Sequence, residues 1–318
     1  MMPKTQYESS ELDHPDIKAS GQSPVAQPLA TGGPRRRTST VVAEVFMAAV
    51  AVLWLIPVVF TLYVALRPKE ETDRLGYLSI AQHLTFSNFI DAWHQSNIFR
   101  YFWNSVLITV PAVLIALFLA AAVAFFVTRR SSKLNLALLI MFTAGNLLPQ
   151  QVVITPLFRL YLAIPLPDFL SPSGTMYNSI IGLIVINAVF QSGFCVFVLS
   201  NYMRTLPQEM YEAARVDGAS FWVRFWTLTI PNIKPALAAL ATLLTTWIYN
   251  DFFWAIALVS SGDRLPITSA LNSLKGEFIS NQNQIAAIAL LAALPTLIIF
   301  VLLQKQFVSG LTLGSTKG

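Results

Sequence analysis

Residues 205–231 read TLPQEMYEAARVDGASFWVRFWTLTIP, a polar stretch between two long apolar runs at 179–203 and 233–259. It is too long to be a simple turn. Thr205 with Gln208 three places on predicts a capping box, and Pro207 suits a first helical turn. The helix should run to about Val216, where Gly218 stops it by accepting a left-handed backbone. Ser220 then caps a second short helix through Phe221, Phe225 and Leu228, and Pro231 ends it. The expected element is a helix–turn–helix lying along a membrane face. Its small pair, Ala213 and Ala214, lets another surface approach closely. Glu209, Glu212 and Arg215 flank that pair for polar contacts, while Trp222 and Trp226 suit an interface.

The rest of the chain gives this stretch its setting. Of 318 residues, 55% are hydrophobic and only 12% are charged. A soluble domain carries about twice that charge, so the composition points to a membrane protein. A crossing helix needs about 20 apolar residues. Six segments qualify: 41–66 with Pro57 as a kink, 104–127, 136–161 broken by Pro149 and Pro156, 179–203, 233–259 and 284–304. In lipid every backbone group needs an internal partner, which makes helices the answer for runs of this length. Residues 1–40 are polar and rich in Pro, Ser, Thr and Gln. They read as a disordered tail rather than a signal peptide, because the apolar run starts late and is long.

Lys and Arg in the connections set the orientation. Fourteen fall on one side, including Arg35–Arg37, Arg129, Arg130, Lys133, Arg215, Arg224 and Lys305, and seven fall on the other. The richer side is expected to be cytoplasmic. Both termini then lie inside, as an even number of spans requires. The net charge of +5 is spread between apolar spans, so topology accounts for it and nucleic acid is not implied. The single cysteine, Cys195, excludes a disulfide framework and reads as a small packing residue. His14, His83 and His94 lack metal-ligand spacing, and no metal is expected. In the first outer connection Phe86, Phe89, Ile90 and Trp93 recur at helical spacing, predicting a short amphipathic helix.

Glu212-Ala213-Ala214, three residues, Gly218, nine residues, then Leu228-Thr229-Ile230-Pro231 resembles the EAA loop of ATP-binding-cassette (ABC) importer permeases. The apolar pair before the proline is swapped relative to the family's Ile-x-Leu-Pro, with little change in volume. Further pieces resemble the carbohydrate-type, MalG-like branch: LTFSNFIDAW (84–93), WNSVLIT (103–109), IPNIKPAL (230–237), YNDFFWAIAL (249–258) and QKQFVSGLTLGSTKG (304–318). The resemblance covers about residues 40–318. It implies an all-α membrane protein of six transmembrane helices with the type I ABC importer permease fold and both termini cytoplasmic. A permease domain at 41–318 would follow the tail.

The resemblance also implies partners. A second permease subunit, homologous but a different chain, completes the pathway. Two ATPase subunits dock from the cytoplasm, and an extracytoplasmic solute-binding protein delivers the solute. Carried over residue by residue, Glu212, Ala213, Ala214 and Gly218 face the ATPase. The C-terminal tail, 305–318, reaches between the ATPase subunits and includes Gly310, Leu311 and Gly314. ATP and Mg belong to those subunits; this chain has no G-x-x-x-x-G-K-[ST] loop and should bind no cofactor and catalyse nothing. The plain alternative for Glu212 is a solvated helix carboxylate.

Asp251 is the charged residue well inside a predicted span, where a charge costs about 2.5–3.5 kcal/mol. It must face protein or a watery cavity. With Trp247, Asn250, Asn187 and Gln191 it forms a candidate sugar pathway of amides, a carboxylate and an aromatic face. Interhelical hydrogen bonding is the alternative. The outer connection 260–283 carries Ser261, Gly262 and Asp263, which the resemblance brings to the binding protein; an ordinary surface loop is the alternative there. Two other classes compete. An ion-coupled secondary transporter would show internal repeats and several intramembrane ionisable groups, and a membrane enzyme would show paired carboxylates or a nucleophile with its base. The solute stays open between sugars, oligosaccharides and other solutes such as glycerol phosphate.

Overall fold

The computed structural model describes residues 38–95, 97–129, 133–146, 148–271 and 281–312. The expected tail up to residue 37, Arg130, most of the outer connection beyond 271, and Gly314 and Lys317 lie outside the described residues. The chain divides into two units, Met1–Leu53 and Trp54–Gly318. Of the first, the described part is the N-terminal portion of one helix; the second holds every other element.

The described residues are almost wholly helical, with one isolated bridge between Pro165 and Thr175. Helix α1 spans Thr38–Ala65, with Pro57 inside it. Two short helices follow, α2 (Lys69–Leu75) and α3 (Ser87–Gln95), and then the long α4 (Ile98–Arg129). Helices α5 (Lys133–Asn146) and α6 (Gln150–Ala163) precede α7 (Ile180–Arg204). Helices α8 (Gln208–Val216) and α9 (Phe221–Val223) form the connection to α10 (Ile230–Tyr249). The chain continues through α11 (Phe253–Leu258) and ends in α12 (Gln282–Thr312).

Five helices are long and apolar enough to cross a membrane, or up to six if the bent pair α5–α6 is one span. The expected third span, 136–161, is therefore two helices that meet at 98°. Pro149 stands at the N-cap of α6 in extended backbone, which ends α-helical continuity there. The expected fifth span also changes. It stops at Tyr249, and residues 250–252 break it before α11. The sixth runs on past 304 to Thr312.

Small side chains position the core. Ala112, Ala116, Ala120 and Ala124 recur every fourth residue of α4 and have no exposed surface. That spacing makes one face, against which α7 and α10 pack closely. Gly182, in the first turn of α7, is required by close approach. An added Cβ would sit 2.5 Å from the Met176 carbonyl and 3.0 Å from the Tyr161 ring. Tyr161 donates its hydroxyl to the Gly182 carbonyl at 2.9 Å, tying α6 to α7. Cys195 is buried in this core. By contrast Trp54, Leu55, Ile56, Val58 and Val59 of α1 and Leu297, Ile298 and Val301 of α12 are exposed. In a helix that spans a bilayer, such faces meet lipid or another subunit.

The expected amphipathic helix exists as α3, but of the four residues that marked it only Phe89 packs, half-buried, against the core. Asn88 and Ala92 are buried, whereas Phe86, Ile90 and Trp93 are exposed. Asn88 has to turn inward because its amide donates to the carbonyls of Ala65 and Arg67, both at 2.8 Å.

Candidate functional site

Helix α8 is a short rod fixed from one side. Tyr211 is buried, and its hydroxyl shares a hydrogen bond with Thr229 at 3.1 Å. The Arg129 guanidinium, at the end of α4, lies 3.4 Å above the centre of the Tyr211 ring. The turn after α8 is a Schellman motif. The Ala219 N–H donates to the Ala214 carbonyl at 2.9 Å and the Gly218 N–H to the Arg215 carbonyl at 3.2 Å. Gly218 supplies the left-handed φ of +78° this motif needs, and an added Cβ there would meet nothing within 4 Å. The glycine is thus required by backbone, not by space.

The remaining positions face outward. Glu212 is exposed and accepts a hydrogen bond from the Gln208 amide at 2.7 Å. Ala213 is exposed and Ala214 half-buried, and Val216 is 88% exposed. An apolar side chain that open beside Ala213 is a signal the sequence reading did not use.

Two expected features of this stretch are corrected. Thr205 is not an N-cap. It stays in right-handed helical backbone at the end of α7 and donates to the Tyr202 carbonyl at 2.8 Å. A cap needs extended backbone, which Pro207 takes instead, so no capping box forms and Gln208 turns to Glu212. Nor does Pro231 end the second helix. Ser220 caps α9 as expected, accepting from the Val223 N–H at 3.3 Å. The chain then passes through a π-helical turn, Arg224–Thr229, directly into α10. Pro231 lies in the first turn of α10, where a missing N–H costs little.

The expected pathway residues are only partly together. Asp251 is not inside a span; it stands at the break between α10 and α11. Its carboxylate accepts from the Trp254 N–H at 3.4 Å. That places Asp251 at the start of α11, in the role of a cap. Asn187 is buried and donates to the Leu183 carbonyl at 3.0 Å. Trp247 is 42% exposed and packs on Phe194 with centroids 5.3 Å apart. Asn250 is exposed and its amide is turned back to Thr246. Gln191, on α7, is half-buried.

Gly262 and Asp263 lie in a short 3-10 turn, Gly262–Arg264, and Ser261 precedes it in extended backbone. It is anchored on several sides. Asn178, with a left-handed φ of 57°, accepts from the Ser260 and Ser261 N–H groups at 3.1 and 2.9 Å and donates to the Ser261 hydroxyl at 2.7 Å. Asn104 of α4 donates to the Asp263 and Leu265 carbonyls. Arg100 pairs with Asp263 at 2.9 Å in an exposed ion pair. Beside the turn opens a cavity of 540 Å³ that includes Arg100, Phe169, Leu170, Ser261 and Arg264. Phe169 is 81% exposed at its rim.

Residues 101–312 match the model of a protein family described as binding-protein-dependent transport system inner membrane component. The chain belongs to this family. The permease is 30% identical over 284 residues to the melibiose/raffinose/stachyose import permease MelC of Bacillus subtilis, covering 89% of this chain and 99% of MelC. It is 26% identical over 276 residues to the arabinooligosaccharide permease AraQ of the same organism, covering 86% of this chain and 94% of AraQ. Its fold is similar to a chain of a bacterial ABC transporter involved in import of the acidic polysaccharide alginate, with a TM-score of 0.71 over 86% of this chain and all of that one, at 18% identity. A second structure of a bacterial alginate ABC transporter, in complex with an alginate pentasaccharide-bound periplasmic protein, matches with a TM-score of 0.62 over 82% of this chain and 92% of that one, at 17% identity.

The end of the permease is helical at Gly310 and Leu311, which belong to α12. A buried polar network just after α1 escaped the sequence reading. Arg67 has no exposed surface and donates to Glu71 at 3.0 Å, to the Ser79 hydroxyl at 2.8 Å and to the Gly76 carbonyl at 3.0 Å. Asn283, at the start of α12, donates to the carbonyls of Val64 and Arg67 and to the Thr72 hydroxyl. These bonds tie the start of α12 to the end of α1 and to α2. The Gln82 N–H, then the Arg67 side chain and the His83 N–H, hold the Glu71 carboxyl below its ordinary range against the opposing effect of burial.

Proposed function

We propose that this permease forms half of the translocation pathway of an ABC importer for a sugar or oligosaccharide. It sits in the cytoplasmic membrane with six spans and both termini inside. A second, homologous permease completes the pathway, two ATPase subunits supply ATP and Mg chemistry, and an extracytoplasmic binding protein delivers the solute. The chain itself is non-catalytic. The observation that carries this reading is α8, which turns Glu212, Ala213 and Val216 outward while Tyr211 and the Gly218 turn hold it rigid. A small-residue face on a fixed rod is a surface another protein can seat against.

On this reading, closure of the ATPase pair moves α8, and the π-turn carries the displacement into α10 without a flexible joint. The spans then exchange between inward- and outward-facing states, biased by nucleotide and by the loaded binding protein. Residues 305–318, including Gly310, Leu311 and Gly314, extend toward the ATPase subunits. The anchored Ser261–Asp263 turn and the cavity beside it support a seat for the binding protein. Asn187, Gln191, Trp247, Asn250 and Asp251 contribute to the solute pathway; the names of MelC and AraQ favour an oligosaccharide as its cargo.

The test is Gly218→Trp in the assembled transporter. Because the added Cβ meets nothing within 4 Å beyond its chain neighbours among the described residues, the substitution should leave membrane insertion intact. Uptake and binding-protein-stimulated ATP hydrolysis should both be lost, and in the unaltered transporter uptake should persist when an ionophore removes ion gradients. Normal uptake by the variant, or uptake that needs a gradient and not ATP, contradicts the proposal.

A further inference from the structure

Two adjoining cavities lie on the α4 side of α8. The first, of 280 Å³, is lined by Phe125, Phe126, Arg129, Arg215, Phe221 and Arg224. The second, of 360 Å³, shares three of those phenylalanines and continues over Val123, Leu138, Phe142 and Trp222. One end therefore presents three guanidinium groups and the other an apolar groove. None of the three arginines has a carboxylate partner among the described residues. The Nε atoms of Arg129 and Arg224 are buried without a hydrogen-bond acceptor among the described residues, while another Arg129 nitrogen donates to the Met203 carbonyl at 3.3 Å. Phe125 is packed against Phe221 at 4.7 Å and Phe225 at 5.4 Å, so the wall between the two ends is rigid.

We infer that this pair of cavities binds an anionic phospholipid, its phosphate between Arg129, Arg215 and Arg224 and an acyl chain along the groove. Three observations favour a lipid over a protein partner. Arginine N–H groups match phosphate oxygens in geometry and charge. The cationic end opens straight into an apolar groove, and an amphiphile fits both. Arg215 lies four residues after Tyr211, so it shares the face of α8 that turns toward α4, away from exposed Ala213 and Val216. A lipid held there would tie the position of α8 to the composition of the surrounding leaflet. The inference needs only that the chain spans a membrane; it is independent of which solute is carried.

The test is native mass spectrometry of the complete transporter, with dioleoylphosphatidylglycerol and dioleoylphosphatidylcholine titrated separately. Phosphatidylglycerol should be retained preferentially. The double variant Arg129→Gln, Arg224→Gln should retain it about 30-fold less well, and Arg129→Lys, Arg224→Lys should restore retention. Inorganic phosphate should not displace it. Equal retention of the two lipids overturns the inference, as does undiminished retention in the glutamine variant. Displacement by phosphate alone would mark a soluble-anion site and overturn the lipid assignment. Retention seen only after the ATPase subunits are stripped would assign the surface to that interface. Should the double variant not assemble, Arg215→Gln decides: about fivefold weaker retention supports the inference, and no change overturns it.

Discussion

Arg67 and Glu71 stand one turn apart on the chain that follows α1, and each is buried because the other and the loop 76–83 satisfy it. The hydrogen bonds from the Gln82 N–H, from Arg67 and from the His83 N–H favour the charged form of Glu71. A carboxyl held low when folded contributes stability that is complete above its unfolded value, near 4.3, and lost as pH falls through the folded one. Thermal unfolding of the purified transporter should therefore show a lower midpoint for Glu71→Gln at neutral pH, with the gap to the unaltered chain closing below about pH 4. A gap that stays constant down to that pH would contradict this account. Asp251 poses a different question. Asparagine can still accept from the Trp254 N–H, so Asp251→Asn should assemble normally while uptake falls. Assembly and uptake falling together would make the residue a cap and nothing more. The sequence pointed to Asp251 because a charge in an apolar run is costly. It did not show that the run breaks at 250–252, since the break is held by contacts such as that of the Thr268 hydroxyl with the Asp251 carbonyl, which no local pattern encodes.

Helix α8 is the element most legible in the sequence. The spacing of Glu212, Ala213, Ala214 and Gly218, with Ser220 beyond, reads directly as helix, left-handed turn and new cap, because Schellman turns and serine caps depend on local backbone alone. What failed was equally local but contested. Thr205 could cap α8 or remain in α7, and α7 keeps it. Pro231 could stop a helix or start one, and the π-turn before it decides for the second. The turn itself is testable. Asparagine tolerates the left-handed region, and Gly218 is in open space, so Gly218→Asn should cost no more than about 1 kcal/mol in thermal unfolding and keep most uptake. If Gly218→Asn fails as completely as Gly218→Trp, the glycine is needed for contact and not for its φ. The outward Ile90 and Trp93 of α3 mark a further limit. Amphipathic spacing identified the helix but not which face would be buried, because Asn88 is drawn inward by two carbonyls of the chain near α1.

At the scale of the molecule, apolar runs long enough to cross a membrane were visible from composition, and four of the expected six correspond to single long helices by position. The other two differ where helix geometry depends on neighbours: α5 and α6 bend apart before Pro149, and the fifth run ends early. Membership of the transport family follows from residues 101–312, and the fold is that of ABC transporter chains of similar size. The solute is the least legible feature, since on the proposed reading a second subunit completes the pathway, and polar residues such as Asn187 serve packing as well. The central claim is that energy enters through α8. A photo-crosslinking amino acid at Ala213 in the complete transporter tests it most directly. The account predicts a crosslink to the ATPase subunit whose yield changes between nucleotide-free and ATP-bound states. A crosslink only to the binding protein, or none to the ATPase in either state, would contradict it.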